Sequence, residues 1–186
     1  MLVEQRRIYS QSEFETISNL PENADKILEL VDGEINEKVA SNPYCSAVAS
    51  KINFFFMSYI NQNNIGYVTG EAGGYRISPK DTFAPDVAYI SKLRQPNLPY
   101  HGFNPIPPDL AVEVVSPSDS YVEVAKKVRT YLRYGTHLVW VVEPETQTVT
   151  IYALDGSQTT LDIDGELDGG EVLPGFKLPV RSIFPA

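Results

Sequence analysis

Two carboxylates stand inside runs that otherwise read as buried strands: Asp86 in Phe83-Ala84-Pro85-Asp86-Val87-Ala88-Tyr89-Ile90, and Glu113 in Asp109-Leu110-Ala111-Val112-Glu113-Val114-Val115-Ser116. Taking a carboxylate out of water costs several kcal/mol unless a cation or hydrogen-bond donors compensate, so a chain that keeps two of them among Val, Ala, Ile and Leu needs a reason. A shared metal ion would supply one. A lysine able to complete such a site comes on the following helix, where Lys126-Lys127 follows the loop Ser116-Pro117-Ser118-Asp119-Ser120. Acid, acid and lysine point to metal-dependent phosphodiester chemistry.

The elements that must hold these groups are legible from local patterns. Ser10-Gln11-Ser12-Glu13 opens a short helix by a capping box, which Pro21 ends. Leu28–Val31 and Glu34–Val39 flank Asp32-Gly33, a strong hairpin signal. Asn42-Pro43 puts a capping residue before proline at the first helical position. Val48, Ile52, Phe55, Phe56, Tyr59 and Ile60 then recur at helical spacing, as a helix packed on a sheet requires. From Ile65 the period becomes that of strands. Gly70 to Gly74 lacks the Gly-Lys-Ser/Thr ending of a phosphate loop and serves a bulge or tight turn. Residues 91 to 108 carry five prolines and are expected to form a long surface loop.

Side chains alternate along the Glu113 strand, with Val112 and Val114 on one face and Ala111, Glu113 and Val115 on the other. A strand apolar on both faces is central and covered by helices on both sides. Ser120-Tyr121-Val122-Glu123 reads as a capping box and Gly135 as a helix-ending residue, giving a helix over 121–134 with an apolar stripe of Val124, Val128, Tyr131 and Leu132. On that helix Lys127 lies at the edge of the buried face and can reach inward, whereas Lys126 is expected in solvent. His137 to Pro144 is a further buried strand that pairs with Thr148 to Tyr152. The tail, punctuated by Asp155-Gly156, Asp164-Gly165 and Asp168-Gly169-Gly170, reads as a capping β-meander.

Composition sets outer limits. With 186 residues, 42% hydrophobic and 21% charged, the chain is expected to form a single domain over 1–186. No apolar run is long enough for a membrane span and Met1 to Arg7 lacks a signal-peptide core, so the expected location is cytoplasmic. One cysteine and two histidines exclude a zinc cluster, so any metal must be held by oxygen. The net charge of −9 opposes non-specific grip on phosphates, unless cations gather locally or a bound ion changes the field. A DNA-handling surface is expected to show a positive groove from Arg76, Lys80, Lys92, Arg94, Lys127 and Arg133 around the acids.

The order helix, three strands with Asp on the second and Glu on the third, helix, strand resembles the Uma-type branch of the PD-(D/E)XK nuclease superfamily over nearly the whole chain. The resemblance rests on Val31-Asp32-Gly33-Glu34, Ser41-Asn42-Pro43, Pro85-Asp86-Val87, Asp109 to Ser118, Lys127 to Gly135, Val139-Trp140-Val141-Val142 and Leu173-Pro174-Gly175-Phe176. It implies an α/β (α+β) restriction-endonuclease-like core: a mixed sheet flanked by helices in the order α-β-β-β-α-β, with an N-terminal hairpin and a C-terminal meander. It also implies that Asp86 and Glu113 bind Mg²⁺ or Mn²⁺, with the Val114 carbonyl as third ligand. DNA is the implied substrate, cut by water attack on phosphorus, and a homodimer would present two sites to two strands. No organic cofactor or membrane partner is expected. The superfamily pattern wants lysine two residues after the glutamate, where this chain has Val115, so Lys127 takes the ammonium's role. Glu34 is the first candidate for the acid that superfamily members place before the aspartate, and Glu71 the second. Ser116 and Ser118 are read as ordering the strand-to-helix loop, and His101 and His137 as structural. Two other readings compete. One is a non-catalytic nucleic-acid-binding or regulatory module that retains the nuclease fold; the other, a sugar- or small-molecule-binding β-rich domain suggested by eleven tyrosines and the β-rich tail, leaves Glu113 unexplained.

Overall fold

The computed structural model describes residues 7–185. Residues 1–6, most of the Met1 to Arg7 stretch expected to lack a signal-peptide core, and Ala186 lie outside the described residues. Helix α1 (Gln11–Ser18) carries both halves of its capping box, Ser10 accepting from the Glu13 N–H while Glu13 accepts from Ser10. Strands β1 (Leu28–Val31) and β2 (Glu34–Glu37) form the hairpin, and Asp32 and Gly33 both adopt positive φ, 52° and 83°, as its two-residue turn demands. Helix α2 (Pro43–Asn63) starts where Asn42 accepts from the Cys45 N–H at 3.0 Å and ends on left-handed Asn64.

Strands β3 (Gly66–Gly70), β4 (Tyr75–Ser78), β5 (Asp81–Phe83), β6 (Val87–Ser91) and β7 (Leu110–Val114) follow, then α3 (Tyr121–Arg133) and β8 (Leu138–Glu143). The chain continues with β9 (Thr148–Ala153), β10 (Gln158–Leu161), β11 (Glu166–Asp168) and β12 (Lys177–Pro179). The main sheet has six strands in the order β10-β9-β8-β7-β6-β3, mixed because β7 and β8 run parallel across α3. A second sheet, β2-β1-β5-β4, joins the N-terminal hairpin to the β4–β5 pair. Leaving out β4 and β5, the core runs α2-β3-β6-β7-α3-β8, the expected α-β-β-β-α-β order.

Each face of the main sheet carries its own core. Val87, Tyr89, Val112, Val114, Trp140 and Val142 pack with Val48, Ile52, Phe56 and Ile60 of α2. On the opposite face Ala88, Ala111 and Val139 meet Phe83, Val128 and Tyr131 of β5 and α3. Alternation along β7 therefore turns Glu113 toward α3 and the second sheet.

Three local expectations are corrected. The tail is not one meander: β10 extends the main sheet, whereas β11 and β12 pair separately and contribute Leu167 and Leu178 to the α2-side core. Ser120 makes no side-chain cap on α3; the Asp119 carboxylate instead accepts the Ser116 N–H at 2.7 Å and closes the loop one step earlier. The proline-rich stretch is not wholly a surface loop. Asn104 exchanges backbone hydrogen bonds with Gly74 and Arg76 and accepts from buried Gln95 at 2.6 Å, which gives its own buried backbone groups partners.

Candidate active site

The antiparallel register of β6 and β7 pairs Val87 with Val112 and Ala88 with Ala111. One step further along the same register Asp86 stands across from Glu113, and the two acids turn to one face at one end of the sheet. Both are buried, at 7% and 8% exposure. Four other side chains meet them, from three further elements.

The Glu113 Oε1 accepts from the Tyr131 hydroxyl at 2.9 Å, and Oε2 lies 3.8 Å from the Lys127 ammonium. Lys127 is held more closely by Glu29 of β1, at 2.8 and 2.7 Å to its two oxygens. Glu29 Oε1 also accepts the Ala84 N–H at 2.8 Å. Asp86 Oδ2 accepts the Val114 N–H at 2.7 Å, while Oδ1 binds the Lys38 ammonium at 2.7 Å. The result is a largely buried cluster in which three carboxylates share two ammonium groups, with the like charges of Asp86 and Glu113 side by side.

The electrostatics follow from that count. Burial, reinforced by Asp86 and Glu29 and opposed by Lys127 and Lys38, pushes the Glu113 carboxyl up to about 7. Burial alone would lower the Lys127 ammonium, but Glu113 and Glu29 outweigh it and hold the lysine charged. At Lys38 the same balance is tipped by Asp86. The Tyr131 hydroxyl, buried beside these carboxylates, is pushed well above its ordinary value and stays a donor.

The fold thus brings Asp86, Glu113 and Lys127 together, and Lys126, in the same cleft, pairs with Asp32 2.5 Å away. Glu34 heads β2 and lines the same cleft. The acid of β1 and β2 that reaches Lys127 is Glu29, five residues earlier. Glu71 lines a separate groove beyond Asp86, with Ser50 and Phe54 of α2. Ser116 and Ser118 share a hydroxyl hydrogen bond of 2.9 Å that orders the loop into α3. His137 lies at the far end of the sheet, 3.5 Å from Asp109, and His101 meets the Tyr100 ring.

Sequence reasoning missed Glu29, Lys38 and Tyr131. Tyr131 falls in the apolar stripe of α3, where a buried hydroxyl needs a partner, and that need is the available signal. Glu29, flanked by Leu28 and Leu30, alternates as a solvent-facing strand residue would, and only the pairing of β1 with β5 turns it inward.

The acids open on a cleft of about 460 Å³. Its lining contains Glu29, Asp32, Glu34, Glu37, Asp86, Glu113, Asp119 and Glu123 against Lys38, Lys126 and Lys127. Of the six basic residues expected around the acids, Lys127 alone lines it. Arg76 pairs with Glu15, and Arg94 with Asp109 at the opposite end of β7. The expected positive groove is not assembled in the described residues.

The donor set fits a hard divalent cation that keeps several waters. No group of three or more Asp, Glu, His or Cys among the described residues is arranged to enclose a metal, but two carboxylates from neighbouring strands suffice for Mg²⁺-type binding. The Val114 N–H points at Asp86, and in an extended strand the carbonyl of a residue faces the same edge, so that oxygen is on the correct side to join them.

Residues 12–181 match the family described as "Uma2: Putative restriction endonuclease". The fold is similar to the crystal structure of a putative nuclease belonging to DUF820 from Anabaena variabilis, with a TM-score of 0.75 and 23% identity, covering 84% of this chain and 89% of that one. At that identity the likeness shows the fold. No curated protein matches the sequence. No helix among the described residues is long and apolar enough to cross a membrane.

Proposed function

Because the chain belongs to the Uma2 family, we propose that it is a divalent-metal-dependent endonuclease that hydrolyses DNA phosphodiester bonds at the Asp86–Glu113 site. The observation that carries this reading is the convergence of two buried carboxylates, one directly before β6 and one on β7, with a half-buried ammonium 3.8 Å from one of them. Asp86, Glu113 and the Val114 carbonyl would hold Mg²⁺ or Mn²⁺. Bound there, the ion would acidify water and offset charge on the phosphate.

The chain's own residues supply the rest. Water attacks phosphorus, the bond to one ester oxygen breaks, and that oxygen leaves with a proton. Glu29 and Glu113 keep Lys127 charged, so its ammonium is available to stabilise charge as it builds on the phosphoryl oxygens. Tyr131 fixes the Glu113 carboxylate by its hydrogen bond and leaves Oε2 toward the lysine. Glu34, which lines the same cleft, is proposed as a further acid of the site. The chain works as a single domain, and two copies would bring two sites to two strands.

The acidity of the cleft favours a second reading, a regulatory or nucleic-acid-binding module in which the carboxylates are structural. Plasmid nicking separates the two. Wild-type protein is expected to nick with Mg²⁺ or Mn²⁺ and to stop with EDTA, and Asp86→Asn and Glu113→Gln are expected to be inert. Folded wild-type protein that leaves plasmid intact with either ion supports the module.

A further inference from the structure

The acid best placed to take a divalent ion already holds a cation of this chain. Lys38 lies directly after β2 and donates to Asp86 Oδ1 at 2.7 Å and to the Ala84 carbonyl at 2.9 Å. Its side chain is 16% exposed. The other oxygen of Asp86 is engaged by the Val114 N–H. One oxygen therefore meets a fixed backbone group, and the other meets the terminus of a flexible four-carbon side chain. The two contacts differ in what can move: the Lys38 backbone is pinned by its N–H to the Ile27 carbonyl at 2.8 Å, whereas the ammonium can leave along the open cleft.

We propose that Lys38 is the resident counter-cation of Asp86, and that a divalent ion enters by displacing its ammonium from Oδ1. This rests on the metal-site reading above. Without an ion, two acids facing each other across β6 and β7 would repel in a low-dielectric setting. Lys38 removes that repulsion and lets the fold form without metal. When the ion arrives it takes over the same oxygen and the lysine becomes redundant there. Lys127 has no such freedom, since Glu29 holds it at both oxygens and Glu29 is itself fixed by the Ala84 N–H. Lys38 is a positioning residue that sets metal affinity, distinct from the lysine that faces Glu113.

The test is a calorimetric Mn²⁺ titration of the full chain as wild type, Lys38→Met and Lys126→Met. Lys38→Met is expected to bind Mn²⁺ on the order of tenfold more tightly, because a charge-assisted hydrogen bond no longer competes. Lys126→Met removes the same charge from the same cleft but from Asp32, and is expected to stay within about threefold of wild type. The thermal midpoint of Lys38→Met should fall without metal and rise more on Mn²⁺ addition than that of wild type. If Lys38→Met does not fold, Lys38→Gln, a neutral donor, is expected to tighten binding in the same direction. Wild-type binding with an unchanged or weaker affinity in the Lys38 variant overturns the role of Lys38 alone, as does equal tightening in Lys126→Met. Absence of Mn²⁺ binding in wild type and variants alike overturns the metal site as well.

Discussion

Lys127 is shared unequally between two acids: its ammonium lies 2.7 Å from Glu29 Oε2 and 3.8 Å from Glu113 Oε2. The nearer acid comes from the N-terminal hairpin and the farther one from the centre of the main sheet, so this lysine ties the second sheet to the first. Removing it strands two buried carboxylates. Lys127→Met is expected to cost about 3–5 kcal/mol in urea unfolding, and Glu29→Gln in the same chain should restore a substantial part. Strict additivity of the two changes would contradict the pairing.

Stability should fall as pH rises through the range in which Glu113 differs between folded and unfolded chains. Its carboxyl is raised from 4.5 to about 7 in the fold. Below 4.5 both states are protonated and the group contributes nothing. Between 4.5 and 7 the unfolded chain gives up its proton first, so ionisation favours unfolding, and above 7 the full penalty remains. The charged and titratable groups facing it are Lys127, Asp86, Lys38, Glu29 and Tyr131. Glu113→Gln should remove this component, so its stability advantage over wild type should grow from pH 4.5 to 7 and then level. A constant difference across that range would contradict the shift.

Mn²⁺ needs the ionised carboxylate, so its uptake near pH 6 should release protons, and affinity should rise with pH up to about 7. Titration in buffers of different ionisation enthalpy counts them directly. No buffer dependence would mean that Glu113 is already ionised.

Tyr131→Phe leaves ring packing against Phe83 intact and removes only the donor to Glu113. A hydrogen bond to a charged group is worth about 1.5–3 kcal/mol, so the loss should be of that size above pH 7 and smaller at pH 5, where the acid is protonated. The carboxyl should also titrate higher, and nicking should shift to more alkaline pH. An unaltered pH profile would place the hydroxyl outside the site's electrostatics.

Asp81 acts at a distance from the acids. Buried on β5, it accepts the N–H of Asp32 at 2.8 Å and is also bound by the Ser78 hydroxyl, so it clamps the hairpin turn to the second sheet. Asp81→Ala should cost about 1–3 kcal/mol by leaving those donors unsatisfied. It should also loosen the strands that carry Glu29 and Lys38, weakening the site without touching it. Stability lost with Mn²⁺ affinity unchanged would show that the site does not depend on the hairpin.

What the sequence could show was set by locality. The Asp32-Gly33 turn, the Asn42-Pro43 start of α2 and the apolar setting of Glu113 are each encoded within a few residues, and each appears in the fold. Lys127 could be told from Lys126 because helical phase is a short-range property. Glu29 and Lys38 reach the site only when β1 pairs with β5, across about fifty intervening residues, and no local pattern carries that register. The absent cap at Ser120 shows the converse: a correct local motif need not form its bond, and the loop before α3 is closed by Asp119 accepting from Ser116. That the described residues assemble no positive groove has the same origin: Arg76 and Arg94 have acids of their own, Glu15 and Asp109, which only tertiary structure brings near.

The most direct test of the central claim is a calorimetric Mn²⁺ titration of wild-type protein beside Asp86→Asn, with circular dichroism to establish that both are folded. The account predicts one ion per chain in wild type and none in the variant. Equal binding by the two, or none by folded wild type, would contradict a metal centre at Asp86 and Glu113.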